Sequence, residues 1–295
     1  MSDSDLLENA AYTAPPVFQA EKKLIFGTGW HVASPAACFA EPGAYAAIGL
    51  GGWALLLLRG EDGTVRAFTN VCAHQKMPVL DNGRGRCDLI RCRYHGWTYN
   101  AKGALISAPG TVAPDGELDD YGLEPLPAKV AHGLVFASFD EGVAGEPALD
   151  AGFPDLSGLA LAGDETRSLV PNWKAVVDVI HGGVAAPPVS AAGRFAWQWP
   201  VTGLWQEPDG AVLLMVVPRT FRKTELHVFS LAADPGAASA VMSRAGEWTE
   251  RIMTAAIERQ QVVEAGGAPE AALAAAVAPV HRRIRDMLAA QAAAA

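Results

Sequence analysis

The residues with the clearest chemistry lie in one short stretch, VCAHQKMPVLDNGRGRCDLIRCRYHGWTY, at positions 71–99. This stretch contains three of the four cysteines and two of the seven histidines in the chain. The spacing is Cys72-x-His74, then seventeen residues, then Cys92-x-x-His95. Thiolates and imidazoles are the ligands that zinc and iron prefer in proteins. The spacing therefore predicts a metal site formed by two loops.

Two kinds of metal site fit this spacing. Two Cys-and-His pairs can bind one tetrahedral zinc ion. In a Rieske [2Fe-2S] centre, two thiolates hold one iron and two neutral imidazoles hold the other. Each pair here supplies one thiolate and one imidazole, in a region of short strands and tight turns, and this favours the Rieske cluster with Cys72, His74, Cys92 and His95 as its ligands.

Several further segments carry a family resemblance. They are EKKLIFGTGWHV at 21–32, AFTNVC at 67–72, YHGWTY at 94–99 and HGLVF at 132–136. With the ligand spacing, they resemble the large (alpha) subunits of Rieske non-haem iron oxygenases, the aromatic-ring-hydroxylating group. The resemblance implies an all-β cluster domain followed by a helix-grip domain, an antiparallel sheet holding a long C-terminal helix.

Details around the ligands distinguish this chain from other Rieske proteins. Respiratory Rieske proteins carry a disulfide beside the ligands, whereas this chain has Met77 and Tyr94 there. The oxygenase family usually has Arg-Gly after the first ligand histidine, and this chain has Gln75-Lys76. Cys87 lies between the ligand pairs and could compete as a ligand, but no histidine follows it three residues later, so we expect a free or buried thiol. Cys38 is expected to be a small core residue.

Family members also hold a mononuclear iron with two histidines and a carboxylate, which leaves positions open for dioxygen and substrate. In this chain Asn172-Trp173-Lys174 matches the start of that motif, and Asp178 stands at its first acidic position. The rest of the motif departs from the family. The histidine positions are occupied by Ala185 and Ser190, or by His181 and Ala186 if a short deletion is allowed, and Arg259 stands where the ligand aspartate is expected.

A guanidinium cannot bind a metal cation and repels it. We therefore expect the mononuclear iron motif to be degenerate and mononuclear Fe(II) to be absent. A rearranged site is the alternative, with His181, Glu258 and either His227 or His281 as weak candidate ligands and Asp178 as a weak catalytic candidate. His227 is expected to be packed or at the surface, and His281, beside two arginines, to be solvated.

Composition excludes several classes of protein. The net charge of −9 disfavours a nucleic-acid surface. The mean hydropathy is +0.14, and the most apolar run, residues 48–58, is too short to cross a membrane. The first residues, MSDSDLLENA, lack the features of a secretory signal. Four cysteines in 295 residues are too few for a disulfide scaffold, so a cytoplasmic location is expected.

The pattern along the chain predicts an α+β protein. Residues 1–20 are expected to form an N-terminal arm and residues 21–145 the all-β Rieske domain. After a linker at about 140–168, residues 165–295 are expected to form a shortened, degenerate helix-grip domain. There we predict a helix at 172–180, strands at 195–199, 211–217 and 225–231, and a long helix at 237–264. The alanine-rich tail from residue 271 is predicted to be helical and interrupted at Pro279.

Two functions follow from these expectations. The first is an electron-transfer companion subunit of a multicomponent ring-hydroxylating oxygenase, which keeps the cluster and lacks the mononuclear iron. Its expected partners are a catalytically complete large subunit or further copies in a trimer-type assembly, and a ferredoxin or NAD(P)H-dependent reductase. The alternative is a self-sufficient oxygenase, a hydroxylase or demethylase of a small organic substrate. The chain is thus expected to be an oxidoreductase component, with its own oxygenase activity in doubt, and the sequence names no substrate.

Overall fold

The computed structural model describes residues 6–110, 118–183 and 192–292, apart from the side chains of 119, 291 and 292. The chain divides into two compact units. The first, Thr28–Pro147, is called the β unit here. The second combines Met1–Gly27 with Ala148–Ala295 and is called the α+β unit. Within the described residues, no helix combines the length and apolar character needed to cross a membrane.

Over its described residues, the β unit contains eleven short strands in antiparallel pairs. The sheets have the orders β1-β11-β10, β5-β2-β3-β4-β9 and β6-β7-β8. The strands are β1 (His31–Pro35), β2 (Ala44–Leu50), β3 (Trp53–Arg59), β4 (Val65–Thr69), β5 (Gly83–Arg86), β6 (Ile90–Arg91), β7 (Thr98–Tyr99), β8 (Leu105–Ser107), β9 (Pro125–Leu126), β10 (Ala128–Ala131) and β11 (Leu134–Ala137).

The apolar run at 48–58 forms the hairpin of β2 and β3. Gly51 and Gly52 form its two-residue turn with φ of 56° and 83°, the left-handed values that a type I′ hairpin turn requires. Successive residues of β3 point to opposite faces, and both faces are buried. Leu55 and Leu57 join one hydrophobic core, while Leu56 and Leu58 join the core beneath the ligand loops. Burial on both sides explains why this strand is continuously apolar.

Where the structure describes it, the α+β unit contains a five-stranded antiparallel sheet, of order β12-β16-β15-β14-β13, with helices packed on it. Its first part also contains a π-helical turn, Lys22–Phe26. The elements are α1 (Ala10–Thr13), α2 (Pro15–Glu21), β12 (Ala160–Leu169), α3 (Trp173–His181), β13 (Arg194–Gln198), β14 (Thr202–Glu207), β15 (Gly210–Thr220), β16 (Lys223–Ala232), α4 (Ala238–Glu264) and α5 (Ala271–Ala292). The mixed α+β fold class, a β domain followed by a sheet with a long C-terminal helix, is confirmed.

Three local expectations were wrong. The described part of the expected arm, residues 6–20, belongs to the α+β unit with Tyr12 fully buried, and the boundary falls after Gly27 rather than at residue 21. The expected linker contains β12, which pairs with β16 along its length. Nine of its ten residues are exposed or half-buried, as suits a sheet edge, and five are polar, so the sequence shows no apolar strand pattern there.

The third correction concerns α5, which continues through Pro279 instead of breaking there. A proline inside a helix costs roughly 3 kcal/mol, because it removes one hydrogen bond and crowds the preceding turn. Burial of the neighbouring Val277, Val280 and Ile284 offsets this cost.

Candidate metal centre

The first ligand loop follows β4 and is closed by two backbone hydrogen bonds. The Cys72 amide donates to the Met77 carbonyl at 2.8 Å, and the Lys76 amide donates to the Cys72 carbonyl at 3.0 Å. Lys76 has φ of 57°, in the left-handed region. The loop holds Cys72 against the core and places His74 two residues further along.

The second ligand loop follows β6 and repeats the same backbone pattern. The Cys92 amide donates to the Trp97 carbonyl at 2.8 Å, and the Gly96 amide donates to the Cys92 carbonyl at 2.9 Å. Gly96, with φ of 73°, occupies the position that Lys76 occupies in the first loop. A residue with a Cβ atom costs about 1–2 kcal/mol there, so the first loop carries strain that the second avoids.

The four candidate ligands meet between the loops with unequal exposure. Cys72 and Cys92 are buried, each 2% exposed, whereas His74 is half-buried and His95 is exposed. The two imidazole centroids are 4.7 Å apart. The His74 ring also stacks on Trp97, with 4.7 Å between centroids and 10° between planes. His74 is thus held in place by Trp97, and His95 is the more exposed of the two histidines.

The donor atoms fit a Rieske cluster. The Nδ1 atom of His74 is buried and has no hydrogen-bond partner among the described residues, so this nitrogen is available to a metal. Burial, as the largest cause, raises the pKa of the Cys92 thiol, and a bound cation is what makes such a buried thiolate favourable. Two thiols and two imidazoles provide two ligands for each iron of a [2Fe-2S] centre.

Tyr99 lies beside the first thiol. Its hydroxyl oxygen accepts a hydrogen bond from the Ala73 amide at 3.2 Å and lies 3.1 Å from the Cys72 sulfur. Because the oxygen already accepts from Ala73, the hydroxyl hydrogen is available to the sulfur. Burial and the neighbouring thiol raise the pKa of Tyr99, so the hydroxyl keeps this hydrogen. No local sequence pattern indicates this contact.

The two remaining cysteines lie elsewhere in the β unit. All four cysteines lie among the described residues, and none of them forms a disulfide. Cys87 is half-buried, and burial together with nearby Asp88 raises the pKa of its thiol. Cys38 packs at the edge of the core that contains Phe39 and Leu55. Neither residue lies in a ligand loop.

In the α+β unit, Asp178 of α3 is enclosed by donors. It is 1% exposed, and His281 Nε2 lies 2.7 Å from its Oδ1. Arg259 Nε donates to Oδ2 at 2.9 Å, and the Tyr12 hydroxyl donates to the same atom at 2.8 Å. Burial acts to raise the pKa of Asp178, but the neighbouring His281, Arg259 and Tyr12 outweigh it and hold the pKa below its usual value. We call these four residues the Asp178 network.

This network corrects the expectation for His281, which is 1% exposed rather than solvated. A buried carboxylate needs partners, and α5 supplies one of them. Arg259, in place of the family's aspartate, supplies the compensating positive charge. Tyr12, on the segment expected to be an N-terminal arm, was missed because no local sequence pattern links it to Asp178.

The other candidate ligands for a second iron are not part of the Asp178 network. His181, at the end of α3, packs edge-on against Trp197, 5.4 Å between centroids, and burial lowers its pKa. Glu258 is exposed, and His227 is buried on β16, 3.4 Å from Glu225. Over the described ranges, no three His, Cys, Asp or Glu side chains converge on one metal ion. Positions 185, 186 and 190 lie outside these ranges.

The chain matches one domain model and is similar in sequence to several known proteins. The model of the Rieske [2Fe-2S] domain matches residues 29–127. The oxygenase subunit of glycine betaine monooxygenase from Pseudomonas aeruginosa is 28% identical over 176 residues, 57% of this chain and 40% of that protein. The alpha subunit of chlorobenzene dioxygenase from a Cupriavidus species is 32% identical over 131 residues, 44% of this chain and 29% of that protein. The chain thus spans less than half the length of these relatives.

Solved structures are similar in fold over a longer stretch. The apo form of the quaternary ammonium Rieske monooxygenase CntA has a TM-score of 0.79 and 19% identity, over 97% of this chain and 96% of that one. Naphthalene 1,2-dioxygenase with bound indole has a TM-score of 0.70 and 18% identity, over 92% and 83%. Residues 29–127 thus match the Rieske [2Fe-2S] domain, and the chain is similar in sequence to Rieske oxygenase subunits and in fold to these solved oxygenases.

Proposed function

We propose that this chain is an electron-transfer subunit of a multicomponent Rieske oxygenase and holds a [2Fe-2S] cluster with Cys72, His74, Cys92 and His95. When bound, the cluster supplies one-electron redox chemistry. The protein fixes His74 by stacking it on Trp97, shields both sulfurs from water, and presents His95 at the surface. The exposed imidazole is the point at which electrons enter or leave.

The observation that carries the electron-transfer role is the Asp178 network. Its two carboxylate oxygens interact with three donors, and one of them, Arg259, already balances the carboxylate charge. A divalent ion at this carboxylate would have to displace these hydrogen bonds beside a fixed guanidinium. This favours a subunit that keeps the cluster and lacks a mononuclear iron.

Such a subunit needs partners for oxygenation. We propose that it assembles with a catalytically complete large subunit and takes electrons from a ferredoxin or an NAD(P)H-dependent reductase. The substrates named for the relatives, glycine betaine and chlorobenzene, belong to those proteins. For this chain the proposal requires only a partner that carries the missing iron site.

Iron and acid-labile sulfide per chain test the proposal on anaerobically purified full-length protein. Two irons and two sulfides are expected, because one cluster accounts for all of them. Cys72→Ser should lose the cluster, and Cys87→Ser, outside the ligand loops, should keep it. Three irons with two sulfides would reject the iron-free role.

One observation favours the alternative of a self-sufficient oxygenase. His181 Nδ1 is buried and has no hydrogen-bond partner among the described residues. If a third iron is found, His181→Ala is the variant to examine. Loss of that iron alone, with the cluster's absorption intact, would establish a rearranged site and make the chain a hydroxylase or demethylase in its own right.

A further inference from the structure

Strand β12 (Ala160–Leu169) lies at an edge of the sheet in the α+β unit. Among the strands that the structure describes, only β16 pairs with β12, which leaves an edge ten residues long. Natural proteins often protect such an edge with proline or lysine, because its backbone groups can pair with a strand of another chain. The sequence of β12, ALAGDETRSL, contains neither residue. The edge is therefore a surface to which a further strand can add.

The hydrogen bonds of the sheet show which residues of β12 face this open side. The amide of Ala233, at the end of β16, donates to the Asp209 carbonyl at 3.0 Å, on the β15 side. Backbone direction alternates along a strand, so the even-numbered residues of β16 direct their backbone groups to β12. Arg167 lies opposite Leu226 and therefore forms hydrogen bonds to β16. The N–H and C=O groups of the next residue, Thr166, point away from β16.

The regular part of β12 is symmetric about Thr166. The register shift against β16 lies between Leu161 and Gly163, so the uninterrupted ladder runs over residues 163–169 and has Thr166 at its centre. A second copy, related by a twofold axis through Thr166, places Asp164 opposite Ser168 and Thr166 opposite Thr166. Each such pair exchanges two hydrogen bonds, so two copies form about six of them between their edges.

Charge distinguishes this register from the others. When Thr166 is at the centre, Glu165 of each copy lies opposite Arg167 of the other copy, and opposite charges across a ladder stabilise it. A twofold antiparallel pair is always centred on a residue, because both members of a pair must direct their backbone groups to each other. Centres at Asp164, Glu165 or Arg167 place two like charges opposite each other. Only the register centred on Thr166 pairs the whole regular segment.

The two charged side chains can rearrange to make these contacts. Within one chain, Arg167 Nη2 lies 2.9 Å from Glu165 Oε2, with the side chains 44% and 33% exposed. An ion pair this exposed is weak, so exchanging it for the same pair across the twofold axis costs little.

We propose that two copies of this chain pair antiparallel through β12, around a twofold axis at Thr166. The two five-stranded sheets then join into one sheet of ten strands. Because both copies contribute the same surface, the contact closes at two copies, unlike a head-to-tail contact, which continues to a third. The inference goes beyond the proposed function, since this pairing uses neither the cluster nor a mononuclear iron.

The first test is sedimentation equilibrium of the cluster-loaded full-length chain over a wide range of concentrations, where a monomer–dimer equilibrium is expected. Thr166→Pro removes an N–H that faces the open side and leaves the hydrogen bonds to β16 intact, as proline on an edge strand can. It should raise the dimer Kd about tenfold or more, because two of the hydrogen bonds between the copies are lost. Hydrogen exchange should slow at the Thr166 and Ser168 amides as concentration rises, and stay constant at the Arg167 amide.

A charge exchange tests the register itself. Glu165→Arg and Arg167→Glu should each raise Kd about tenfold, because each places like charges opposite each other twice. An equimolar mixture of the two variants should dimerise about as tightly as wild type, since the arginines of one copy then face the glutamates of the other. Recovery in the mixture also shows that both variants are folded. Arg222→Glu and Glu264→Arg, which change the charges of another exposed ion pair, are the controls and should leave Kd unchanged.

Several results would overturn this pairing. A chain that remains monomeric at the highest concentration would do so, as would a dimer or trimer whose Kd is unchanged in Thr166→Pro. A mixture of Glu165→Arg and Arg167→Glu that associates no better than either variant alone would reject the register. Protection of the Thr166 amide that does not vary with concentration would assign the edge to a segment of the same chain. A count of three irons, by contrast, would reject the proposed function and leave the dimer in place.

Discussion

Replacing Arg259 by leucine tests the Asp178 network directly. The substitution removes the guanidinium 2.9 Å from Asp178 and leaves the carboxylate buried with His281 and Tyr12 as its remaining donors. Removing one partner of a buried ion pair costs about 3–5 kcal/mol, and two retained donors place the expected loss near the lower limit, about 3 kcal/mol. The same helix offers a control, Arg251→Leu, whose exposed side chain should change stability by no more than about 0.5 kcal/mol.

The assay is unfolding in urea, monitored by hydrogen exchange of peptides from α3 and α4. These peptides report the stability of the α+β unit separately from that of the β unit. Asp178→Asn and the double variant Asp178→Asn/Arg259→Leu complete a double-mutant cycle. We expect a coupling energy of about 2 kcal/mol, because the second substitution removes a charge that the first has already left unpaired. A loss below about 1 kcal/mol for Arg259→Leu, with no coupling, would refute the assigned role of the network.

The same network predicts a pH dependence. The folded-state pKa of Asp178 is lowered, so its stabilising contribution is complete above the unfolded-state pKa of about 3.9 and is lost as the pH falls through the folded-state value. The unfolding free energy of the α+β unit should therefore fall below about pH 4. In Asp178→Asn the unfolding free energy should fall less steeply below about pH 4. It is measured as a function of pH by hydrogen exchange of the same peptides. If Asp178→Asn and wild type lose the same free energy below about pH 4, the assignment is wrong.

Three further outcomes are expected. Lys76→Gly should raise the unfolding free energy of the β unit by about 1 kcal/mol, because glycine adopts a φ of 57° without strain, and a lower melting temperature would contradict this. Tyr99→Phe should lower the cluster's reduction potential by about 40 mV, because a hydrogen bond of roughly 1 kcal/mol to the Cys72 sulfur favours the electron-rich reduced state. Protein-film voltammetry measures the reduction potential, and an unchanged value in Tyr99→Phe would exclude the hydrogen bond from the Tyr99 hydroxyl to the Cys72 sulfur. Lys174→Met should cost about 3–5 kcal/mol in urea unfolding, because it removes the ion-pair partner of the fully buried Glu21, and Lys174→Met/Glu21→Gln should recover part of that loss.

The sequence was most informative where the evidence was local. The predicted helix at 172–180 and the long helix at 237–264 lie within one residue of α3 and α4, because apolar spacing and capping act over a few residues. Asn172 caps α3, accepting a hydrogen bond from the Lys174 amide. The Cys-and-His spacing likewise placed four candidate ligands on two loops, and the structure brings those loops together.

Side-chain contacts between residues distant in the sequence could not be predicted from the sequence. Tyr12 and His281 reach Asp178 across 166 and 103 residues, and nothing near either residue indicates the contact. Two adjacent arginines led to the expectation of a solvated His281, although only one face of a helix needs to be polar. The strain at Lys76 was also invisible, because only the backbone shows that this residue occupies a left-handed position.

The separation between Tyr12 and His281 has a consequence for how the chain folds during synthesis. The β unit is one continuous segment, so it can complete its contacts as soon as it has left the ribosome. The α+β unit joins residues that are 269 positions apart, through Tyr12 Oη and His281 Nε2 at 3.1 Å. Helices α1 and α2 therefore leave the ribosome before the β unit but find their last partner only when α5 has been translated. Until then Asp178 and Tyr12 lack that partner, so this segment is made before the β unit but reaches its final state after it.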